Sequence, residues 1–319
     1  MVGKSTVVAV TKYFPAACVL LCLISLYSII PDEEAIIATS SWYVNTSQPA
    51  QHANFDFLIS QSHRCEGANG DVLLVILVHS KPTERAMRTE IRESWASEKQ
   101  VDGQEIVTLF VLGRSNDDRQ LNDDLVNENK KYGDIILVDF IDSYDNLTLK
   151  TVACLQWTSQ YCRKSKYFLK MDSDMMVNIR AVAKFLRTAP SKGFVTGEVA
   201  YTSPIRFRLR KWHVSRKEYP YSKYPPYMLG TYLLSMDVVQ QLYATAKHTM
   251  FYRFEDVYIG ICLRKINLTP RYDERFQVNF AAKTGRTGCE MKKLFVGHHV
   301  VQEYVHRVWE DMLDVNKVC

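Results

Sequence analysis

The first strong pattern in the chain is a near-continuous apolar run, Asp71-Val-Leu-Leu-Val-Ile-Leu-Val-His79. An apolar stretch without polar alternation suits a strand covered on both faces, as in a parallel sheet. Residues 83–96 follow with Met87, Ile91 and Trp95 at helical spacing, and residues 106–112 are predicted as a second strand. A polar helix over 117–131 carries Leu121 and Leu125 on its buried side, then come a strand over 134–140 and a helix over 147–161. A further strand at 167–171, a helix over 179–188 and a strand over 193–199 complete the regular part. Strand and helix alternate four times, so the predicted class is α/β, a parallel sheet with helices on both faces. Beyond Tyr201 the pattern loosens, with helices expected over 236–246, 256–265 and 302–313.

The strand at 167–171 leads directly into Asp172-Ser-Asp174. Side chains along an extended backbone alternate faces, so the two carboxylates converge if the backbone stays extended past the strand end. In an open α/β sheet, that carboxyl edge is where ligands bind. With no cationic partner read nearby in the sequence, the carboxylates repel unless a cation sits between them. Hard oxygen ligands with open positions suit Mg²⁺ or Mn²⁺ bridged to a diphosphate. The plainer alternative is that Asp172 caps the next helix and Asp174 is solvated.

At 319 residues, 47% hydrophobic and 24% charged, the chain has ordinary globular composition. Its net charge of +5 reads as mild and spread along the sequence, which gives little support to nucleic-acid binding. The N-terminus changes the picture. Residues 13–30 form an uncharged apolar run, with Lys4 and Lys12 before it and Asp32, Glu33 and Glu34 after it. The run reads as a membrane-spanning signal anchor with a cytoplasmic tail over 1–12, which leaves the rest luminal or extracellular. A cleaved signal peptide is the competing reading, but Ile29-Ile30-Pro31-Asp32 lacks a small-x-small cleavage site. Residues 31–64 are polar and aperiodic and read as a flexible stem, which leaves the folded domain at 65–319. Cys65, Cys154, Cys162, Cys262, Cys289 and Cys319 allow up to three disulfides in an oxidising lumen. Sequons at Asn45, Asn146 and Asn267 agree with that compartment.

Other segments carry candidate chemistry. Arg88 and Arg92 share one helix face near the ligand edge, where they either meet a phosphate or pair with Glu90 and Glu93 in solvent. Asp142 and Lys150 follow the third strand, and the lysine could balance a diphosphate. Glu255-Asp256 precedes an apolar helix and either caps it or supplies a general base. Tyr224-Pro-Pro-Tyr227-Met-Leu-Gly230-Thr reads as a turn-rich loop that could line a sugar subsite. His298 follows a short apolar stretch and could complete a metal shell.

Taken together, these segments resemble the Golgi β-1,3-glycosyltransferase family, and within it the β-1,3-galactosyltransferases more than the β-1,3-N-acetylglucosaminyltransferases. The resemblance rests on Arg88-Thr-Glu-Ile-Arg-Glu-Ser-Trp95, Phe110-Val-Leu-Gly113 and Tyr132-Gly-Asp-Ile-Ile136. It continues through Asp139-Phe-Ile-Asp-Ser-Tyr-Asp-Asn-Leu-Thr-Leu-Lys150, Lys170-Met-Asp-Ser-Asp174, Tyr224-Pro-Pro-Tyr227 and Glu255-Asp-Val-Tyr-Ile-Gly-Ile-Cys262. It implies a GT-A fold, a single-pass type II Golgi membrane protein with a luminal catalytic domain, and a UDP-sugar donor held through Mn²⁺. The matched positions imply donor contacts at Arg88, Asp142, Lys150, Asp172, Ser173 and Asp174, metal ligands Asp172, Asp174 and His298, and Asp256 as the base. They imply acceptor contacts at Tyr227, Gly230 and Glu255. The chemistry implied is inverting transfer of galactose from UDP-galactose to the 3-hydroxyl of a terminal N-acetylhexosamine on a glycoprotein or glycolipid. UDP-N-acetylglucosamine is the alternative donor. A homo- or hetero-oligomer in the membrane fits the same family.

One segment departs from the family pattern. Where members usually have Cys-Ser-Gly-Thr-Gly-Tyr, this chain has Met228-Leu-Gly230-Thr-Tyr232, one residue shorter and without the cysteine. Cys154 is also unexpected. An altered acceptor subsite follows, and with it a competing class: a Golgi pseudoenzyme that partners another transferase. A secreted sugar-binding protein without chemistry is a third reading, distinguished by binding that ignores nucleotide and metal.

Overall fold

The computed structural model describes residues 53–66, 72–116, 118–277, 288–298, 300, 302–314 and 316. The apolar run at 13–30 lies outside them, and no described helix is long and apolar enough to cross a membrane. The strands and helices in chain order begin with β1 (Phe57–Ile59), β2 (Val72–His79), α1 (Arg85–Glu93), β3 (Gln100–Val101), β4 (Gln104–Arg114) and α2 (Arg119–Tyr132). They continue with β5 (Ile135–Ile141), α3 (Leu147–Tyr161), β6 (Tyr167–Asp172), β7 (Met175–Val177), α4 (Ile179–Leu186) and β8 (Val195–Ala200). After these come β9 (Tyr227–Ser235), α5 (Met236–Ala246), α6 (Glu255–Lys265), β10 (Arg271–Tyr272), β11 (Phe276–Gln277), α7 (Gly288–Met291), β12 (Val296–His298) and α8 (Gln302–Leu313).

The main sheet runs β1-β5-β4-β2-β6-β9-β8-β10, with β3 added against β4. Strands β5, β4, β2 and β6 are parallel, as the apolar runs predict, and every residue of β2 is buried. The expectation of a wholly parallel sheet is corrected beyond that point. Residues 227–231 of the segment read as a loop belong to the long strand β9, which pairs antiparallel with both β6 and β8. Tyr227, Met228, Tyr232, Leu233 and Leu234 in that strand are buried, so its apolar content serves the sheet rather than a turn.

Helix ends follow local chemistry. The Asp118 side chain caps α2 by accepting from the Leu121 amide, and Gly133 closes it in the left-handed region at φ 63°. Asn178 caps α4 in the same way through the Ala181 amide. Both replace a peptide partner that a helix's first turn lacks.

The segment expected as stem is ordered into the fold from residue 53. β1 pairs antiparallel with β5, and Phe55 exchanges two hydrogen bonds with the Gln156 amide group. The Trp157 indole donates to the Ser60 carbonyl, and Cys65 is bridged to Cys162. Cys289 is also disulfide-bonded, whereas Cys154 and Cys262 are buried thiols, so the three-disulfide maximum is not reached. Residues 201–224 group apart from the remaining catalytic fold as a separate compact unit.

Candidate active site

The carboxyl edge of the parallel strands is where the candidate residues meet. β2 ends at His79, directly opposite Asp172 at the end of β6. The backbone does not stay extended past Asp172, so strand alternation is not what places the two carboxylates, although both line one cavity. The chain turns at Ser173 and Asp174 into β7, so the two acids acquire different neighbours.

Asp172 faces a lysine of its own strand. Residues i and i+2 share a face, and Lys170 Nζ lies 2.9 Å from Asp172 Oδ1. Lys170 is thus the cationic partner that sequence reading overlooked. It also donates to the Gly230 carbonyl at 2.8 Å and stands 3.3 Å from Glu255 Oε2. Burial pulls the Lys170 ammonium toward neutrality, but the charges of Asp172, Glu255 and Asp256 more than offset this and hold it protonated. Burial pushes the Asp172 carboxyl up, with repulsion from Glu255 and Asp174 adding to it against the pull of Lys170. A carboxyl raised by neighbouring acids is one that a cation stabilises in its charged form.

Asp174 is brought to His298 by the small second sheet. β12 pairs antiparallel with β7, placing His298 opposite Met175, and the Val300 amide donates to the Asp174 carbonyl. The result is His298 Nε2 at 3.2 Å from Asp174 Oδ2. The oxygen and imidazole donors of Asp172, Asp174 and His298 fit a borderline-hard ion such as Mn²⁺. Among the described residues, no cluster of three such donors is already closed around one point.

Two adjoining cavities meet at Asp172. The first, of about 440 Å³, lies under the connection after β2 and is lined by His79, Ser80, Glu84, Asp142, Lys150 and Asp174 among others. The second, of about 340 Å³, is lined by Lys170, Gly230, Arg253, Glu255, Asp256 and His298, and Tyr144, Leu147 and Asp172 border both.

Of the expected donor residues, Asp142, Lys150, Ser173, Asp172 and Asp174 do line the first cavity. Lys150 is committed to Asp142, at 2.9 and 2.8 Å from its two oxygens, and to the Ser80 carbonyl. Ser173 donates to Glu84 Oε2 at 2.8 Å. Arg88 does not line the cavity, which corrects both readings of it. Its guanidinium is fully buried, paired with Glu128 and bonded to Ser80 Oγ and the Lys81 carbonyl. It braces the first cavity's wall from behind. Arg92 is likewise paired with Asp134 and Glu128 rather than with Glu90 or Glu93.

In the second cavity, Glu255 and Asp256 differ. Glu255 is buried and accepts from Thr151 Oγ1 and the Tyr232 hydroxyl, besides facing Lys170. Burial would raise it, but Lys170 and hydrogen bonds from Asp256, Tyr232 and Thr151 hold it below the ordinary carboxylate range. Asp256 is pushed well above that range by burial and by the charge of Glu255. Glu255 is thus the stronger acid of the pair and Asp256 the weaker, and Asp256 Oδ1 accepts from the Gly230 amide at 3.0 Å. Tyr227, expected at the acceptor, lines neither cavity; it is buried where β9 meets Gly260 of α6.

The shortened stretch Met228–Tyr232 is built into this site. The pairing of β8 with β9 jumps from Gly197↔Tyr232 to Val199↔Met228, so β9 bulges at Leu229, Gly230 and Thr231. Gly230 sits at φ +61°, which lets its amide reach Asp256 while its carbonyl reaches Lys170.

With this geometry in view, the comparison with known proteins is decisive. The family model described as Galactosyltransferase matches residues 86–274. The chain belongs to the galactosyltransferase family. Among its relatives, beta-1,3-galactosyltransferase 1 of Mus musculus and of Homo sapiens is 39% identical over 270 residues, 83% of this chain and 81% of that protein. UDP-GalNAc:beta-1,3-N-acetylgalactosaminyltransferase 1 of Homo sapiens is 32% identical over 298 residues, 92% of this chain and 89% of that protein. Among solved structures, the galactosyltransferase LgtC with donor and acceptor sugar analogs covers 76% of this chain and 98% of its own at 12% identity, with a TM-score of 0.39. A likeness of that degree carries no weight beside the family match. As a member of the galactosyltransferase family, the chain is a glycosyltransferase, and its reactants are a sugar donor and a glycan acceptor.

Proposed function

We propose that this glycosyltransferase moves galactose from UDP-galactose to the 3-hydroxyl of a terminal N-acetylhexosamine, with inversion at the anomeric carbon. The observation that carries this reading is the meeting of two cavities at Asp172, with Asp174 lining one, and His298 and a carboxyl pair of unequal acidity lining the other. A GT-A arrangement is the fold that goes with it. Lys170-Met-Asp-Ser-Asp174 supports the galactosyl donor, as do the 39%-identical relatives.

Asp172, Asp174 and His298 would hold Mn²⁺, which when bound neutralises charge building on the departing diphosphate. The protein's own residues do the rest. Lys150 and Asp142 fix the floor of the donor cavity, and Arg88 with Glu128 holds the loop at Ser80–Pro82 in place. Above its raised pKa, Asp256 takes the proton of the acceptor hydroxyl as it attacks. The Gly230 amide fixes the orientation of the Asp256 carboxylate, while Lys170 and Tyr232 keep Glu255 charged and immobile. Attack and departure are one displacement, with no covalent enzyme intermediate. The N-terminal apolar run would anchor the chain in the Golgi membrane with this domain in the lumen.

The test is a transfer assay on the full chain with Mn²⁺, offering UDP-galactose, UDP-N-acetylglucosamine and UDP-N-acetylgalactosamine. N-acetylglucosaminyl, N-acetylgalactosaminyl and galactosyl acceptors are tried with each. Transfer from UDP-galactose that disappears in EDTA and in Asp256→Asn supports the proposal. UDP-N-acetylgalactosamine is the second donor to watch, because a relative named for it is 32% identical. Binding of UDP and Mn²⁺ without turnover on any pair would point instead to a pseudoenzyme.

A further inference from the structure

The chain's positive charge is concentrated, contrary to the even spread read from the sequence. Seven of the 24 residues over 201–224 are Lys or Arg, against the single acid Glu218, a net +6 in a chain whose total is +5. The rest of the protein is therefore at −1. Within this unit the charges interleave with apolar side chains as Arg206-Phe-Arg-Leu-Arg-Lys-Trp212.

The structure makes a hydrogen-bonded base and an exposed tip from this stretch. Ile205 bridges to His213, and the Val214 amide donates to the Ile205 carbonyl. The Arg206 guanidinium donates to the carbonyls of Val214, Tyr219 and Tyr221 at 2.7–2.9 Å, around a fully buried Tyr219 ring. Above the base, the Arg210 amide closes a turn on the Phe207 carbonyl, with Arg208 and Leu209 at its corner. Leu209 is 78% exposed, the most exposed large apolar side chain among the described residues, and Trp212 is 50% exposed. Arg208, Arg210 and Lys211 beside them in the chain are exposed too, and Lys211 Nζ lies 5.4 Å from the centre of the Trp212 ring.

We infer that the Phe207–Trp212 tip docks onto an anionic lipid bilayer, with Leu209 and Trp212 entering the interface and the flanking cations meeting the headgroups. Charge complementarity selects an anionic occupant. The apolar tip then selects a bilayer over a soluble anionic glycan, which gives a leucine nothing to bond and no surface to bury. An indole at the headgroup level with Arg and Lys stems lying beside it is the side-chain arrangement that interfacial segments use. The bonded base supplies what an inserting tip needs, since its shape is fixed before it meets lipid.

The test attaches an environment-sensitive fluorophore at Leu209→Cys in the full chain, together with nanodiscs of phosphatidylcholine alone or with phosphatidylserine, both carrying brominated acyl chains. The expected result is quenching of several-fold in the anionic discs only. It should fall to background in R208E/R210E/K211E and at about 1 M salt, where screening reaches only about 3 Å. Transfer to a small soluble acceptor should be unchanged in the charge-reversed protein, which shows that it is folded. Quenching that is absent from both discs, or equal in both and indifferent to charge reversal, overturns the proposal. So does a probe response to heparin without any response to lipid, which would make the tip a polyanion-binding surface.

Discussion

Asp174 Oδ2 and His298 Nε2 lie 3.2 Å apart, although 124 positions separate them in the chain. The pairing of β12 with β7 sets this distance, so the contact belongs to the fold and not to a bound ion. Loss of an outer-shell partner of a metal already costs about 10–100-fold in affinity, and a direct ligand costs at least as much. His298→Ala should therefore raise the Mn²⁺ concentration for half-maximal transfer by about tenfold or more. Calorimetric titration of Mn²⁺ with UDP checks this, and an unchanged metal requirement would remove His298 from the site.

The acid limb of the pH profile should lie above the ordinary carboxylate range. Asp256 is raised by burial and by the charge of Glu255, so the base form exists above that raised value and disappears as pH falls through it. Transfer measured against pH at saturating metal should show this limb, and Asp256→Asn should leave no activity to titrate. Lys170→Met removes a charge that lowers both members of the pair, so its limb should move to still higher pH. A limb at the usual carboxylate position would argue that Asp256 is not the base.

Much of this arrangement was legible before any coordinates. The parallel strands announced themselves through unbroken apolar runs, and helices α3, α5 and α8 fall where the pattern put them. The Asp172–Asp174 motif and the acids at 255–256 were visible as chemistry. What local pattern could not convey was contact between distant segments. Residues 224–231 read as a loop because Pro225, Pro226 and Gly230 are turn residues, yet β6 and β8 on either side make a strand from Tyr227 onward. Arg88 looked like a donor contact because no local feature foretold Glu128 from another helix. Lys170 stood in the motif all along; the i, i+2 rule applied to Asp172 and Asp174 reaches it equally well.

Arg88→Met should act on stability and leave the donor KM nearly untouched. The pair it forms with Glu128 is buried, and burial would raise Glu128 while Arg88 and Arg92 hold it below the ordinary range. Removing one partner of a buried ion pair costs about 3–5 kcal/mol, because the other charge is stranded. Urea denaturation should show that loss, and R88M/E128L should recover part of it. A pure donor-binding defect at wild-type stability would restore Arg88 to the active site.

Gly230→Ala should lower kcat well beyond what its modest loss of stability explains. A non-glycine residue at φ +61° costs about 1–2 kcal/mol, and its Cβ would lie 2.8 Å from the flexible end of Met175. The side-chain conflict is easily relieved by Met175, but the backbone strain is not. It shifts an amide and a carbonyl that hold Asp256 and Lys170. The measurement is kcat beside a melting curve, and Gly230→Ala with wild-type turnover would show that the bulge can relax elsewhere.

The Cys65–Cys162 bridge spans 97 residues of sequence. Closing a loop of that length stabilises the fold by about 4–5 kcal/mol in the chain-entropy account. C65S/C162S should therefore melt at a clearly lower temperature while its KM values stay close to wild type. An unchanged melting temperature would show that β1 and the Phe55–Gln156 bonds hold the N-terminal segment without covalent help.

Strand β6 carries Lys170 and Asp172 on one backbone, two positions apart, with Lys170 facing Glu255 and Asp172 bordering both cavities. The two halves of the site are thus not separate modules that mutation can exchange one at a time. A lineage that altered the donor sugar by reshaping the Asp172 side would also disturb the acceptor side through the same ammonium. Shifts in donor and acceptor preference are for that reason expected to arrive together in evolution.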